Sequence, residues 1–152
     1  MAGFSIVGLS CNTTTSPPAT DLPTRFFYVN NIQLQSSFTR LLPAGIDVYV
    51  VLLDQFGDPI KALGQFQCEL FPYKPAASDP RGKRFNQLGL QTIDLNDPQT
   101  SQKHWDPITQ GYYLRLKIPP DAASTQHLVL QITFFAQPDQ RLQDTLVLPR
   151  AK

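Results

Sequence analysis

Two histidines, His104 and His127, and two cysteines, Cys11 and Cys68, are the only imidazoles and thiols in the chain. A Ser-His-Asp device needs a histidine set against a nucleophile on a sharp turn, and neither histidine has that setting. His104 falls in a short helical stretch, and His127 opens a strand, so surface or capping duties suit both better. Cys68 occupies the apolar parity of an alternating segment, which makes it a buried, unreactive thiol. A zinc site would need more Cys and His at suitable spacing. Calcium would need oxygen ligands in a dense run, but Asp54 and Asp58 flank a turn while Asp94, Asp97 and Asp106 lie around the short helix. Turn and capping duties account for all five, with calcium left as the open alternative. Glu69 is the only glutamate and lies on a polar strand face, so no acid pair for glycoside hydrolysis is evident. The expectation is no catalytic residue, no metal and no cofactor.

One segment concentrates charge. Residues 72–87 (PYKPAASDPRGKRFNQ) hold Lys74, Arg81, Lys83 and Arg84 against a single acid, Asp79, with Tyr73 and Phe85 at the edges. Three prolines and a glycine with no periodicity predict a long loop. Cations beside aromatics can receive an anionic ligand, a glycan or a protein surface. Tyr73, Lys74, Arg81, Lys83, Arg84 and Phe85 are therefore the candidate partner-binding residues. The alternative is a solvated loop whose charges serve solubility.

These residues need a scaffold, and the composition points to short strands. The chain has 152 residues, 41% of them hydrophobic, with ten Phe and five Tyr, enough for one domain with a substantial core. Only 16% are charged, against roughly 25% in ordinary soluble domains. Fourteen prolines disfavour long helices. A net charge of +1 gives no field that would gather nucleic acid or an anionic membrane. No run of 18 or more apolar residues exists to span a bilayer.

The segment 46–71 (IDVYVVLLDQFGDPIKALGQFQCELF) organises the rest. Residues 46–53 are nearly all apolar and rich in β-branched types, suiting a strand buried on both faces. The turn 54–59 (DQFGDP) follows, where Gly57 can take positive φ and Pro59 cannot donate to a ladder. Ala62, Gly64, Phe66, Cys68 and Leu70 then alternate with Leu63, Gln65, Gln67 and Glu69, a strand with one core face. The expectation is a long β-hairpin. An apolar strand, then Asp54, Gly57, Pro59 and Ile60, then an alternating strand resembles a hairpin of bacterial immunoglobulin-like and transthyretin-like modules. That resemblance covers about a sixth of the chain and brings no functional residue with it. It implies a β-sandwich serving adhesive, structural or assembly roles.

Elsewhere the pattern agrees. Phe26, Tyr28, Ile32, Leu34 and Phe38 share a parity, predicting one long strand or two in succession over 25–40, with a bulge near Asn30-Asn31. Residues 41–45 (LLPAG) read as a turn, and 88–95 as a short strand. Asp97 can cap a helix that has Pro98 at its first position and ends by Trp105, before Asp106-Pro107. Trp105 reads as a core plug, with an exposed anchor as the alternative. Residues 112–118, 128–136 and 142–148 complete an all-β antiparallel sandwich of seven or eight strands over 25–150, with one short helix near 97–105.

Residues 1–24 differ from this body. MAGFSIVGLSC ends an apolar stretch with a small residue and Cys11, and NTTTSPPAT then forms a low-complexity tether. The stretch is similar to the end of a bacterial lipoprotein signal, although Gly8-Leu9 reverses the usual order and the basic start is missing. The resemblance implies lipid attachment at Cys11. An incidental cysteine in a tail is the alternative, and a Cys11–Cys68 bridge is also open. The combined reading is a non-catalytic, lipid-anchored, periplasm-facing protein of the bacterial cell envelope. It touches the membrane through its anchor alone, binds a protein partner and no nucleic acid, and has an oligomeric state the sequence leaves open. The alternative is a carbohydrate- or peptidoglycan-binding module.

Overall fold

A computed structural model describes residues 27–73, 87–122, 127–136 and 139–149. Nine strands and one helix follow in order: β1 (Val29–Leu34), β2 (Arg40–Leu42), β3 (Gly45–Asp54), β4 (Gly64–Pro72), β5 (Gly89–Asp94), α1 (Pro98–His104), β6 (Trp105–Asp106), β7 (Gly111–Leu116), β8 (His127–Ala136) and β9 (Gln140–Pro149). All pairings are antiparallel. One sheet has the order β1-β3-β7-β6, with β2 also on β3, and the other has β5-β4-β8-β9. The chain is an all-β sandwich with a single short helix. The nine strands exceed the seven or eight expected because of the short β2 and β6. Residues 40–42 pair with the start of β3 instead of lying wholly in a turn.

Period-two patterning builds both sheets. In β7, Tyr112, Leu114 and Leu116 point inward, and in β8 Leu128, Leu130, Ile132 and Phe134 do the same. From β4, Phe66, Cys68 and Leu70 meet them. Phe66 packs edge-on against Tyr112 of the opposite sheet at 5.8 Å and against Phe134 of its own at 4.9 Å. The expected bulge exists, since the β1–β3 register shifts between Val29 and Asn31. The expected helix exists too: the Asp97 carboxylate accepts from the Thr100 N–H and Pro98 fills the first turn.

The expected long hairpin stops just past its turn: Pro59 bridges Leu53 and the Ile60 N–H donates to the Leu52 carbonyl at 2.9 Å, but β4 does not continue along β3. β3 pairs with β1 and β2 on one edge and β7 on the other, so no edge remains for β4. Its apolar run marked a central strand, and a central strand with two occupied edges must send its successor to the other sheet. The turn itself is as expected. Asp54 Oδ1 accepts from the N–H groups of Phe56 and Asp58, and Gly57 has φ +87°. The chain then crosses at residues 60–63 and enters β4 at Gly64.

Lys61 and Leu63 are exposed on this crossing, while Ala62 is half-buried against the core, where its backbone N–H and carbonyl need partners. The Tyr112 hydroxyl provides both. It accepts from the Ala62 N–H (3.1 Å), donates to the Ala62 carbonyl (3.2 Å) and lies 3.1 Å from Ser101 Oγ of α1. Tyr112 is fully buried. Two further polar contacts close the sandwich's sides. Asp144 of β9 accepts from the Leu34 N–H of β1 at 2.7 Å. Gln91 of β5 donates to the Lys117 carbonyl at 3.0 Å and accepts from its N–H at 3.2 Å.

Gly64 is a tight fit. A Cβ there would stand 2.5 Å from both the Phe135 carbonyl oxygen and Phe134 Cζ, one of them backbone that cannot swing away. Gly64→Ala should lower stability in urea unfolding by about 1–3 kcal/mol, the range for overpacking a closed core. An unchanged midpoint would show that the crossing is looser than described.

Candidate functional site

The inward faces of the sandwich are apolar, so hydrogen-bonding chemistry concentrates on the outer faces. On the four-stranded sheet, the register sets Gln67 of β4 opposite Thr133 of β8, and Thr133 opposite Gln143 of β9. The next row aligns Glu69, Gln131 and Thr145, and the row before it Gln65, Phe135 and Arg141. Gln67, Glu69, Phe71, Gln87, Gln131, Arg141 and Gln143 line a concavity of about 440 Å³.

Its floor is organised by a carboxylate. Glu69 Oε1 accepts from the Gln131 amide at 3.1 Å and Oε2 from the Gln87 amide at 2.6 Å. Gln143 donates to Thr133 Oγ1 at 3.3 Å. The Arg141 guanidinium stands over the Phe135 ring at 5.9 Å. Gln131 and Thr133 are 5% and 1% exposed, so this patch is more enclosed than an ordinary solvent-facing sheet surface. The arrangement combines amide donors and acceptors with one carboxylate and one guanidinium, suited to recognising a polar ligand by hydrogen bonds.

Taken one strand at a time, the polar parity holds only scattered Gln and Thr, and the register gathers them into one patch. Gln67, Gln131 and Gln143 lie far apart in sequence and become neighbours only through the β4-β8-β9 order. The repeated Gln/Thr parity on three strands was the available signal.

Of the six anticipated partner-binding residues, Tyr73 lies among the described residues. Tyr73 follows β4; its N–H donates to the His127 carbonyl at 3.1 Å, and its ring lies 6.0 Å from the His127 ring. Lys74, Arg81, Lys83, Arg84 and Phe85 lie outside the described residues, as does Cys11. Gln87, where the described chain resumes, reaches the Glu69 carboxylate, so the connection 74–86 joins the body beside this concavity.

The outer face of the other sheet carries a second cluster. Asp47 Oδ1 accepts from the Tyr113 hydroxyl at 2.8 Å and from Arg115 Nε at 2.5 Å. Tyr49 bridges Phe38 and Tyr113 at ring distances of 5.7 and 5.0 Å. Partial burial and the Asp47 hydrogen bond raise the Tyr113 pKa. Hydrogen bonds to Tyr113 and Asp47 raise that of Arg115. The three polar groups satisfy one another, so the cluster reads as a cross-strand clasp between β3 and β7.

The remaining candidates take the turn and capping roles expected of them. Asp94 accepts from the Asn96 N–H, and Asp106 from the Ile108 N–H and the Thr109 hydroxyl. His104 Nδ1 lies 3.2 Å from the Tyr113 carbonyl. Among the described residues, no group of three or more His, Cys, Asp or Glu is placed to hold a metal ion. Trp105 is half-buried, edge-on to Tyr112 at 5.3 Å, with Lys61 Nζ 5.0 Å from its ring centre. No protein-family model matches the chain, and a search of curated proteins finds no matching sequence.

Cys68 lies inside as anticipated, 2% exposed. Burial, with a smaller contribution from Glu69, pushes its thiol from 9.0 up to about 12. A raised folded-state pKa favours the protonated thiol, so the contribution to stability is complete below pH 9 and is lost towards pH 12. The stability difference between the protein and Cys68→Ala should therefore shrink by about 1.4 kcal/mol per pH unit above pH 9. Cys68 should also resist maleimide until denaturant is added. Rapid native labelling would contradict this placement.

Proposed function

We propose that the chain is a non-catalytic component of the bacterial cell envelope that recognises a protein partner, held at a membrane by lipid on Cys11. The observation that carries the recognition role is the concavity on the four-stranded sheet. Its Glu69, Arg141 and glutamines are aligned for hydrogen bonding, and Gln87, which follows the basic segment 74–86 in sequence, bonds the Glu69 carboxylate there. Asp54, Asp94, Asp97 and Asp106 are engaged as turn and helix caps. The anchor rests on the apolar stretch before Cys11 and the Thr/Pro-rich segment after it. Two acyl chains hold a protein durably where one holds it only marginally.

A second reading, a carbohydrate- or peptidoglycan-binding module, draws on the same lining. Glutamine side chains both donate and accept, which complements the hydroxyl and amide groups of a glycan. Co-sedimentation with purified cell-wall sacculi separates the two: retention abolished by Arg141→Ala with Gln143→Ala favours the glycan.

Under the leading reading, a photo-crosslinking residue replacing Gln143 should capture a defined envelope protein in cells, whereas one replacing Arg115 on the opposite sheet should not. Equal capture from both faces would overturn it. Arg81, Lys83 and Arg84 replaced together by Ser should leave the melting temperature nearly unchanged and flatten the salt dependence of that association. Cys11→Ala should release the protein from membranes, and unmodified Cys11 in the intact mass of native material would refute the anchor.

A further inference from the structure

The two ends of the sandwich differ in surface chemistry. At one end lie the start of β1, the turn leaving β3, the crossing into β4, the β6–β7 turn and the junction of β8 with β9. The register establishes this grouping: Val29 pairs with Asp54, Gly64 with Ala136, Ala136 with Gln140, and Asp106 with Gly111, one residue before Tyr112 meets Val50. Seven large hydrophobic side chains are exposed among the described residues, and five are here. They are Phe27 (63%), Tyr28 (51%), Phe56 (69%), Leu63 (46%) and Ile108 (90%). Phe27 and Phe56 touch edge to face at 6.2 Å. A groove of about 440 Å³ joins Phe27 and Tyr28 to Leu63, with Lys61, Asn96 and Gln140 also in its lining. The opposite end holds the 35–44 turn, the Lys117–Ala122 segment and the junctions with the connection 74–86.

A concentration of exposed apolar side chains at one end of a polar protein points to an interaction surface. Its position identifies the occupant. Residues 1–26 join the body at Phe27, within the patch, and Cys11 lies only sixteen residues before it. Fully extended, that many residues reach at most about 55 Å, so a lipid on Cys11 confines this end to the neighbourhood of the bilayer. The exposed residue types are those a headgroup boundary accepts: aromatic rings and aliphatic side chains, with the ammonium of Lys61 beside them. We infer that this end of the sandwich docks against the membrane surface, Phe27, Tyr28, Phe56, Leu63 and Ile108 entering the headgroup region, while the opposite end faces away. The inference rests on the lipid-anchor reading for its biological setting, and adds to it a second, peripheral membrane contact with a fixed orientation.

Chemical coupling tests the contact separately from native lipidation. Cys11 of the full chain is joined to a maleimide-bearing lipid in vesicles of phosphatidylethanolamine and phosphatidylglycerol, with Cys68 protected by burial. Hydrogen exchange is compared with the same chain joined to a soluble maleimide. Docking slows exchange on vesicles at residues 27–28, 55–63 and 106–110 and leaves 35–44 and 117–122 unchanged. Phe56→Ser with Ile108→Ser, both changes at exposed positions, keeps the melting temperature and abolishes the slowing. Absent slowing, slowing at the opposite end, or slowing that survives the double substitution overturns the inference. So does equal, concentration-dependent slowing in the soluble form, which assigns the patch to a second copy of the chain. Unmodified Cys11 in native material would sink the anchor reading alone and leave the vesicle result standing.

Discussion

The structure depends on one buried hydroxyl. A sandwich core tolerates apolar side chains in quantity, but backbone amides passing from one sheet to the other carry donors and acceptors that burial would strand. Residues 60–63 make that passage, and Tyr112 supplies both missing partners at Ala62 while reaching Ser101 on the helix. The same ring packs edge-on against Phe66 of the far sheet and against Trp105. Both sheets, the crossing and the helix therefore meet at one side chain. With the crossing held, β4 enters its sheet at Gly64 in the register that aligns Gln67 and Glu69 with Thr133 and Gln131. The candidate site is thus a consequence of where the chain crosses.

The sides and ends of the sandwich share their work differently. Its sides are closed by polar side chains bonded to backbone across the sheets, Asp144 to Leu34 and Gln91 to Lys117. Five of the seven exposed large hydrophobic side chains among the described residues gather at one end.

Local chemistry was legible in the sequence wherever the rule involved was local. Asp97-Pro98 announced the helix start, alternation in residues 64–70 and 112–116 set the core faces, and Asn30-Asn31 marked the bulge. Cys68 followed from its parity. Pairing was not legible, because which strands become neighbours depends on contacts between distant segments. Residues 54–59 have the turn chemistry of a hairpin, and only the occupied edges of β3 show why they lead into a crossing. The same limit hid the amide-lined concavity: each strand alone displays an ordinary polar face. Tyr112 was read as one more alternating residue, since nothing in its neighbours reveals the partner fifty positions earlier.

A double-mutant cycle on Tyr112 and Ser101 tests the central constraint most directly. Tyr112→Phe removes the hydroxyl with little change of shape, and Ser101→Ala removes its partner on the helix. If the hydroxyl ties helix, crossing and sheet together, the two losses in unfolding free energy are coupled, with an interaction of about 0.5–3 kcal/mol. Losses that add to within about 0.3–0.5 kcal/mol, as for independent sites, would contradict the account.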